Sequence, residues 1–350
     1  MARRSPSSPA GRPLAGPTKI DMRFAFALYL AVWAAAPAAA QPAALSGPTE
    51  GFTFDAPTRS LRAVAGYPGA SSFGPALVSG IDIAAVAPQR NYAVAFQNGG
   101  CVFVSSLDGK AAVTPISEVS LQPEHIVWSA DGSMAVLYSL SASWFQPLTG
   151  FPQTPSAQPR VDATRLGGSL ASIAIDPKGQ RIAVGVSGSA GEIYWTSDRQ
   201  SFQPMLAMNH PIALTFSADG TAVYALDGDS QRITSAGIVN PGVQTFPTGL
   251  ADPVAMQSVQ TAAGELLYVA ARKDQLLRIF KPVSRQIVAD VPLSFHPSRL
   301  DPLGASFVLA ARSQAATPLW VYSGTPVPGA FFVPAIPAAP GSVLGVGGTE

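Results

Sequence analysis

The feature that most limits what this chain can become is a repeated hairpin. Three copies read Ile126-Val127-Trp128-Ser129-Ala130-Asp131-Gly132, Ile173-Ala174-Ile175-Asp176-Pro177-Lys178-Gly179 and Leu214-Thr215-Phe216-Ser217-Ala218-Asp219-Gly220, each followed by a second apolar run at 134–138, 182–186 or 222–226. Two looser copies turn at Gly264 and Gly304, so the five glycines lie 47, 41, 44 and 40 residues apart. A sixth copy begins at Ala87-Pro88-Gln89-Arg90, where Arg90 takes the glycine place 42 residues before Gly132. The residue types suit a tight reversal: Asp bonds its own backbone, Pro presets φ, and Gly accepts the positive φ that other residues resist.

Each second run is followed by a third, as at 191–195, 275–280 and 318–322, and then by a fourth with polar edges, as at 286–291. Four short strands in about 40–45 residues is the arithmetic of a β-propeller blade. Helical solenoids fail, because no unit holds ten residues with apolar side chains at i, i+3, i+4 and i+7. The 32 Gly and 33 Pro also punctuate the chain too often for long helices, while 47% apolar residues suffice for a large core. Six units begin near residues 81, 125, 171, 211, 253 and 298. Two further runs, 51–55 and 61–65, read as the third and fourth strands of a blade whose first two are missing, and 330–335 supplies a strand beyond the sixth unit. Pairing the two ends would remove exposed sheet edges. The spacing therefore predicts an all-β chain forming a single β-propeller. Seven four-stranded blades are expected, with six as the alternative, the ring closed by N- and C-terminal strands.

The units are similar to blades of the WD40/YVTN-like propeller superfamily. The likeness rests on Ser217-Ala218-Asp219-Gly220 with Val223-Tyr224-Ala225, and on Leu267-Tyr268-Val269-Ala270 after Gly264, and covers roughly residues 50–335. None of the five tryptophans is followed by Asp, whereas WD40 repeats end their third strand in Trp-Asp. That departure favours the bacterial YVTN type. The resemblance implies a fold, and only loosely an activity: some such propellers are lactonases or lyases that use carboxylates and a divalent ion.

Residues 22–40 have the order of a secretory signal peptide, with Arg23, the apolar run 24–33 and Ala38-Ala39-Ala40 before Gln41. The apolar core is about ten residues, short of the roughly 20 that span a bilayer, so cleavage between Ala40 and Gln41 is expected and no retained membrane span. Met22 reads as a start codon, which makes 1–21 a start-site overhang. The propeller then occupies 41–335, and 336–350 reads as a flexible C-terminal tail. Removing residues 1–40 leaves 17 basic against 20 acidic residues, a net charge of −3. No basic cluster remains to neutralise phosphates, so nucleic acid is excluded as a partner. Cys101 is the sole cysteine, in the apolar run Cys101-Val102-Phe103-Val104, and reads as a buried inert thiol.

Chemistry is sparse. There is no G-x-S-x-G, H-E-x-x-H or phosphate loop, and no cysteine pair for zinc. The sharpest feature is positional. His125, His210 and His296 precede the first strands of units two, four and six, 85 and 86 residues apart, where each loop opens on one end of the central channel. They are the ligand-binding candidates at the channel mouth, read first as structural loop residues and second as a metal or acid–base site. Asp227-Gly228-Asp229 reads as ordinary hairpin chemistry, with too few oxygens for calcium. The expectation is an exported monomer, periplasmic or extracellular, that binds a protein, glycan or small ligand, without catalytic residues, metal or cofactor. The alternatives are a YVTN-like lactonase or lyase with its site at the channel mouth, and a structural component of the cell envelope.

Overall fold

The computed structural model describes residues 47–304, 306–310, 317–324 and 328–336. The chain divides into Met1–Leu45 and Ser46–Glu350, and the described strands all belong to the second unit. The leader, the Ala40/Gln41 cleavage pair and residues 337–350 lie outside the described residues.

The repeated hairpins fold as their chemistry dictates. In the Ser217–Gly220 copy the Asp219 carboxylate accepts from the Ser217 hydroxyl at 2.6 Å, from the Thr221 amide at 2.9 Å and from the Thr221 hydroxyl at 2.8 Å. The Ala222 amide donates back to the Ser217 hydroxyl at 2.9 Å, and Gly220 closes the turn at φ +73°. Ser129 and Asp131 repeat the pattern around Gly132, whose φ is +75°. A methyl group on Gly132 would sit 2.7 Å from the Tyr92 hydroxyl, so glycine is needed there for both backbone and space. The Ala87–Arg90 copy differs by one residue: Gln89, not Arg90, carries the positive φ of 53°. Arg90 is thereby free to reach the next hairpin, donating to the Asp131 carbonyl at 3.0 and 3.2 Å.

These hairpins join strands into seven antiparallel sheets, here called blades 1 to 7 and spanning 49–79, 81–115, 125–162, 169–207, 211–247, 253–292 and 301–333. In blades 2, 4, 5, 6 and 7 four strands pair in chain order. In blade 3 two short segments, Ser156–Ala157 and Val161–Asp162, share the fourth position beside Trp144–Thr149. Helix among the described residues is limited to the single turns Ala56–Thr58 and Ala163–Leu166.

Middle strands such as Met134–Ser139 are buried almost throughout, because each sheet is covered on both faces. Alternate residues serve opposite neighbours. Ala135 and Leu137 pack toward blade 2, while Met134 and Val136 pack toward blade 4. Seven apolar clusters result, one for each of the interfaces 1/2, 2/3, 3/4, 4/5, 5/6, 6/7 and 7/1. Seven sheets with seven interfaces make a closed ring, and the first strands of blades 2 to 6 lie side by side around its axis.

The predicted count of seven holds, but among the described residues the two ends of the propeller do not share a sheet. Gly329–Val333 pairs with Leu319–Ser323 inside blade 7, and Thr49–Asp55 pairs with Ser60–Ala65 inside blade 1. The ring closes through packing, as Val64 of blade 1 meets Leu303, Val308, Leu319, Val321 and Val333 of blade 7. The runs at 51–55 and 61–65 are also not the third and fourth strands of their blade. Gly51 packs against Leu303 and Gly304 in the first hairpin of blade 7, while the Arg59 carbonyl, beyond the far end of the same strand, accepts from the Ile81 amide where blade 2 begins. Thr49–Asp55 thus runs opposite to the first strands and occupies a second-strand position. Ser72–Ser79 is the fourth strand, hidden from sequence reading by Gly74 and Pro75 within it.

Candidate functional site

The two ends of the ring have different chemistry. At one end the first hairpins link blade to blade. Tyr92 donates to the Gly132 carbonyl at 3.1 Å, the Asp131 amide to the Pro177 carbonyl at 3.0 Å, and the Ala218 amide to Glu265 at 2.7 Å. Glu265 also accepts from the Tyr224 hydroxyl at 3.1 Å and from Ser258 at 2.5 Å. The Asp/Gly motif is therefore structural, a polar belt that fixes neighbouring blades.

The opposite end, where first strands begin, carries all three candidate histidines, and the structure keeps them apart. His210 pairs with Asp229 at 3.1 Å, both largely exposed, across a hairpin that Asp227 organises by accepting from the Asp229 amide and the Ser230 hydroxyl. His296 sits 3.0 Å from the Arg272 carbonyl and 3.2 Å from the Gln275 amide nitrogen. His125 opens the first strand of blade 3, His125–Trp128, with its ring stacked 4.9 Å from that of its cross-strand partner Tyr138. Among the described residues no three His, Cys, Asp or Glu side chains come together as a metal's ligand set would.

One of the three does join a polar cluster. Arg299 and Asp301 flank buried Leu300 at the start of blade 7, so both turn to the side away from the core, where they form an ion pair. Blade 7 stands across the channel from blade 3, and the pair reaches close enough to act on His125 and Tyr138. Enclosure by the channel walls pushes the His125 imidazole below its ordinary range and the Arg299 cation adds to this, while Glu124 and Asp301 pull the other way. Enclosure likewise pushes the Tyr138 phenol up, with Asp301 adding to it. Arg299 is held charged chiefly by Asp301 yet keeps 49% of its side chain in contact with solvent, as a residue in a wet channel would. Glu124 is turned aside, accepting from the Leu140 amide at 2.8 Å and from the Ser141 amide and hydroxyl. The outcome is a site with a largely neutral imidazole, a phenol and a self-compensated Arg–Asp pair. It offers several donors and acceptors and little net charge.

Sequence reading placed His125 here and missed Tyr138, Arg299 and Asp301. Alternation about Leu300 is the signal that would have found the ion pair, whereas Asp301-Pro302 reads as turn material. Cys101 is buried as expected, and burial pushes its thiol up to about 12, far from a reactive thiolate. Two concavities lie elsewhere: a polar recess of about 350 Å³ around Gln146 and Arg160, and a cleft of about 640 Å³ between blades 1, 2 and 7.

No protein-family model matches the chain, and no curated protein matches it in sequence. Solved structures do match its fold. A functionally unknown protein from Desulfotomaculum acetoxidans DSM 771 is 13% identical with a TM-score of 0.56, covering 82% of this chain and 99% of that one. Kuenenia stuttgartiensis hydrazine synthase is 14% identical with a TM-score of 0.50, over 77% of this chain and 95% of that one. A chain in a nidogen/laminin complex is 15% identical with a TM-score of 0.47, over 70% and 92%. The chain is a β-propeller. At these identities the likeness extends to the fold alone. No helix among the described residues is long and apolar enough to cross a membrane.

Proposed function

We propose that the chain is an exported propeller of the YVTN-like type that binds a polar partner at the channel mouth and performs no chemistry on it. The observation that carries this reading is the cluster of His125, Tyr138, Arg299 and Asp301 drawn from opposite blades. Among the described residues the Arg299 and Asp301 charges are spent on each other, and the His125 ring stacks on that of Tyr138. Propellers present variable loops on a rigid ring, which suits recognition by many weak polar contacts. The secretory leader read from 22–40 supports export, and the low net charge supports a neutral ligand such as a glycan or the polar tip of a protein loop.

The test is a glycan and peptide array probed with the mature chain and with Arg299→Ala. A ligand retained by the parent and weakened about tenfold or more in the variant, as loss of a charge-assisted hydrogen bond implies, supports the reading. Turnover of a lactone or glycan that disappears with His210→Ala would replace it with the enzyme alternative.

A further inference from the structure

Among blades 2 to 7 only blade 3 has a divided fourth strand, and one proline in its third strand explains the break. The Pro147 carbonyl accepts from the Gln158 amide at 2.8 Å, so the Pro147 nitrogen also faces the fourth strand, with no hydrogen to give it. The Gln146 side chain supplies what is missing, its amide nitrogen donating to the Gln158 carbonyl at 2.9 Å. Pairing resumes at Val161 opposite Phe145, which leaves Pro159 and Arg160 together opposite Gln146 as a bulge. The polar recess of about 350 Å³ opens at this bulge, bounded on its other side by Glu118 and Ser120 of the segment that leads into blade 3.

One group in this recess has no use in the fold. Gln146 keeps only 6% of its surface exposed. Both hydrogens of its amide nitrogen are taken, by the Gln158 carbonyl and by the Glu118 carbonyl at 3.1 Å, and this fixes which way round the amide sits. The amide oxygen accepts nothing among the described residues, yet it is not sealed from solvent. Glu118 and Arg160 are exposed on the same recess with opposite charges, and among the described residues neither joins an ion pair. Arg160 acts only at a distance on Asp162, whose carboxyl is held below its ordinary value chiefly by bonds from Thr164. A buried acceptor left open, with an acid and a base held apart on the rim, matches a ligand whose own cation and anion lie a few bonds apart. We infer that the recess binds a free α-amino acid, its ammonium on the Gln146 oxygen and the Glu118 carboxylate, its carboxylate on the Arg160 guanidinium and the Ser120 hydroxyl. The volume stands at the low end of the roughly 300–1,000 Å³ of small-ligand pockets, as a ligand of that size requires. The site belongs to the outer part of blade 3 and does not rest on the channel-mouth reading.

Ligand-observed NMR titration of the mature chain with the standard L-amino acids tests this, followed for each that binds by its N-acetyl and C-terminal amide derivatives. The expected result is at least one amino acid with a Kd of about 1 mM or tighter. Blocking either end of it, or substituting Glu118→Gln or Arg160→Ala, is expected to weaken binding about tenfold or more, as loss of a charge-assisted hydrogen bond implies. Both substitutions fall at exposed positions and are expected to leave the melting temperature unchanged, while Arg299→Ala leaves the affinity unchanged. Absence of binding by every amino acid up to about 10 mM overturns the inference, as does an affinity indifferent to Glu118→Gln and Arg160→Ala. Binding lost in Arg299→Ala instead would move the ligand to the channel mouth and overturn it too.

Discussion

At the scale of single residues, the hairpin motif accounts for itself. Gly132 needs both a positive φ and an empty Cβ position, whereas Gly99, at φ +77°, has nothing within 4 Å of where a methyl group would stand and needs only the first. Gly99→Ala is therefore expected to cost about 1 kcal/mol and Gly132→Ala distinctly more, about 2–4 kcal/mol, in urea unfolding. Equal losses would show that the Tyr92 contact carries no weight. Asp219 gives a pH signature. Burial alone would raise its pKa, but the bonds from Ser217 and Thr221 outweigh it and the carboxyl titrates below its ordinary value. Its contribution is thus present above about pH 4 and lost as pH falls through the lower folded value. Asp219→Asn is expected to be less stable than the parent at pH 7 and to close that gap on acidification, measured by thermal melts across about pH 2–7. The motif residues were legible because local bonding alone dictates them. Arg90 was only half legible: its place in the repeat could be read, but its reach into the next hairpin depends on a neighbour 41 residues on.

At the scale of elements, strand identity followed from period, and strand position did not. The six units from 81 onward fold as their spacing implies, since a hairpin names its own two strands. The run at 51–55 carries no such marker, and its rank within blade 1 emerges only from what its ends touch. Among the described residues the apolar cluster between blades 7 and 1 holds six buried residues, against thirteen between blades 2 and 3. Native-state hydrogen exchange is expected to find the seam between Ser60–Ala65 and Leu319–Ser323 opening before the interface of blades 2 and 3. Leu303→Ala, at a fully packed position on that seam, should lower stability by about 2–5 kcal/mol and speed exchange there first. A uniform rise around the ring would contradict a distinct seam.

At the scale of the whole molecule, the fold was legible and the site was not, for one physical reason. A period repeats along the chain, but the channel mouth is assembled across it: His125 and Arg299 stand on opposite blades, and nothing local to either marks the other. The three histidines look equivalent in sequence, yet His210 and His296 are engaged by loop partners and His125 alone faces the Arg299–Asp301 pair. With its imidazole pushed down, the unfolded chain takes up that proton first as pH falls below about 6.5, so His125 lowers stability on acidification. Because the chain holds only three histidines, an NMR titration of their ring protons resolves the cluster directly. The account predicts a His125 midpoint below the ordinary imidazole value, which rises in Arg299→Ala and falls further in Asp301→Ala, with the change confined to His125. A His125 midpoint that ignores both substitutions, or three histidine signals that move together on adding zinc, would contradict it.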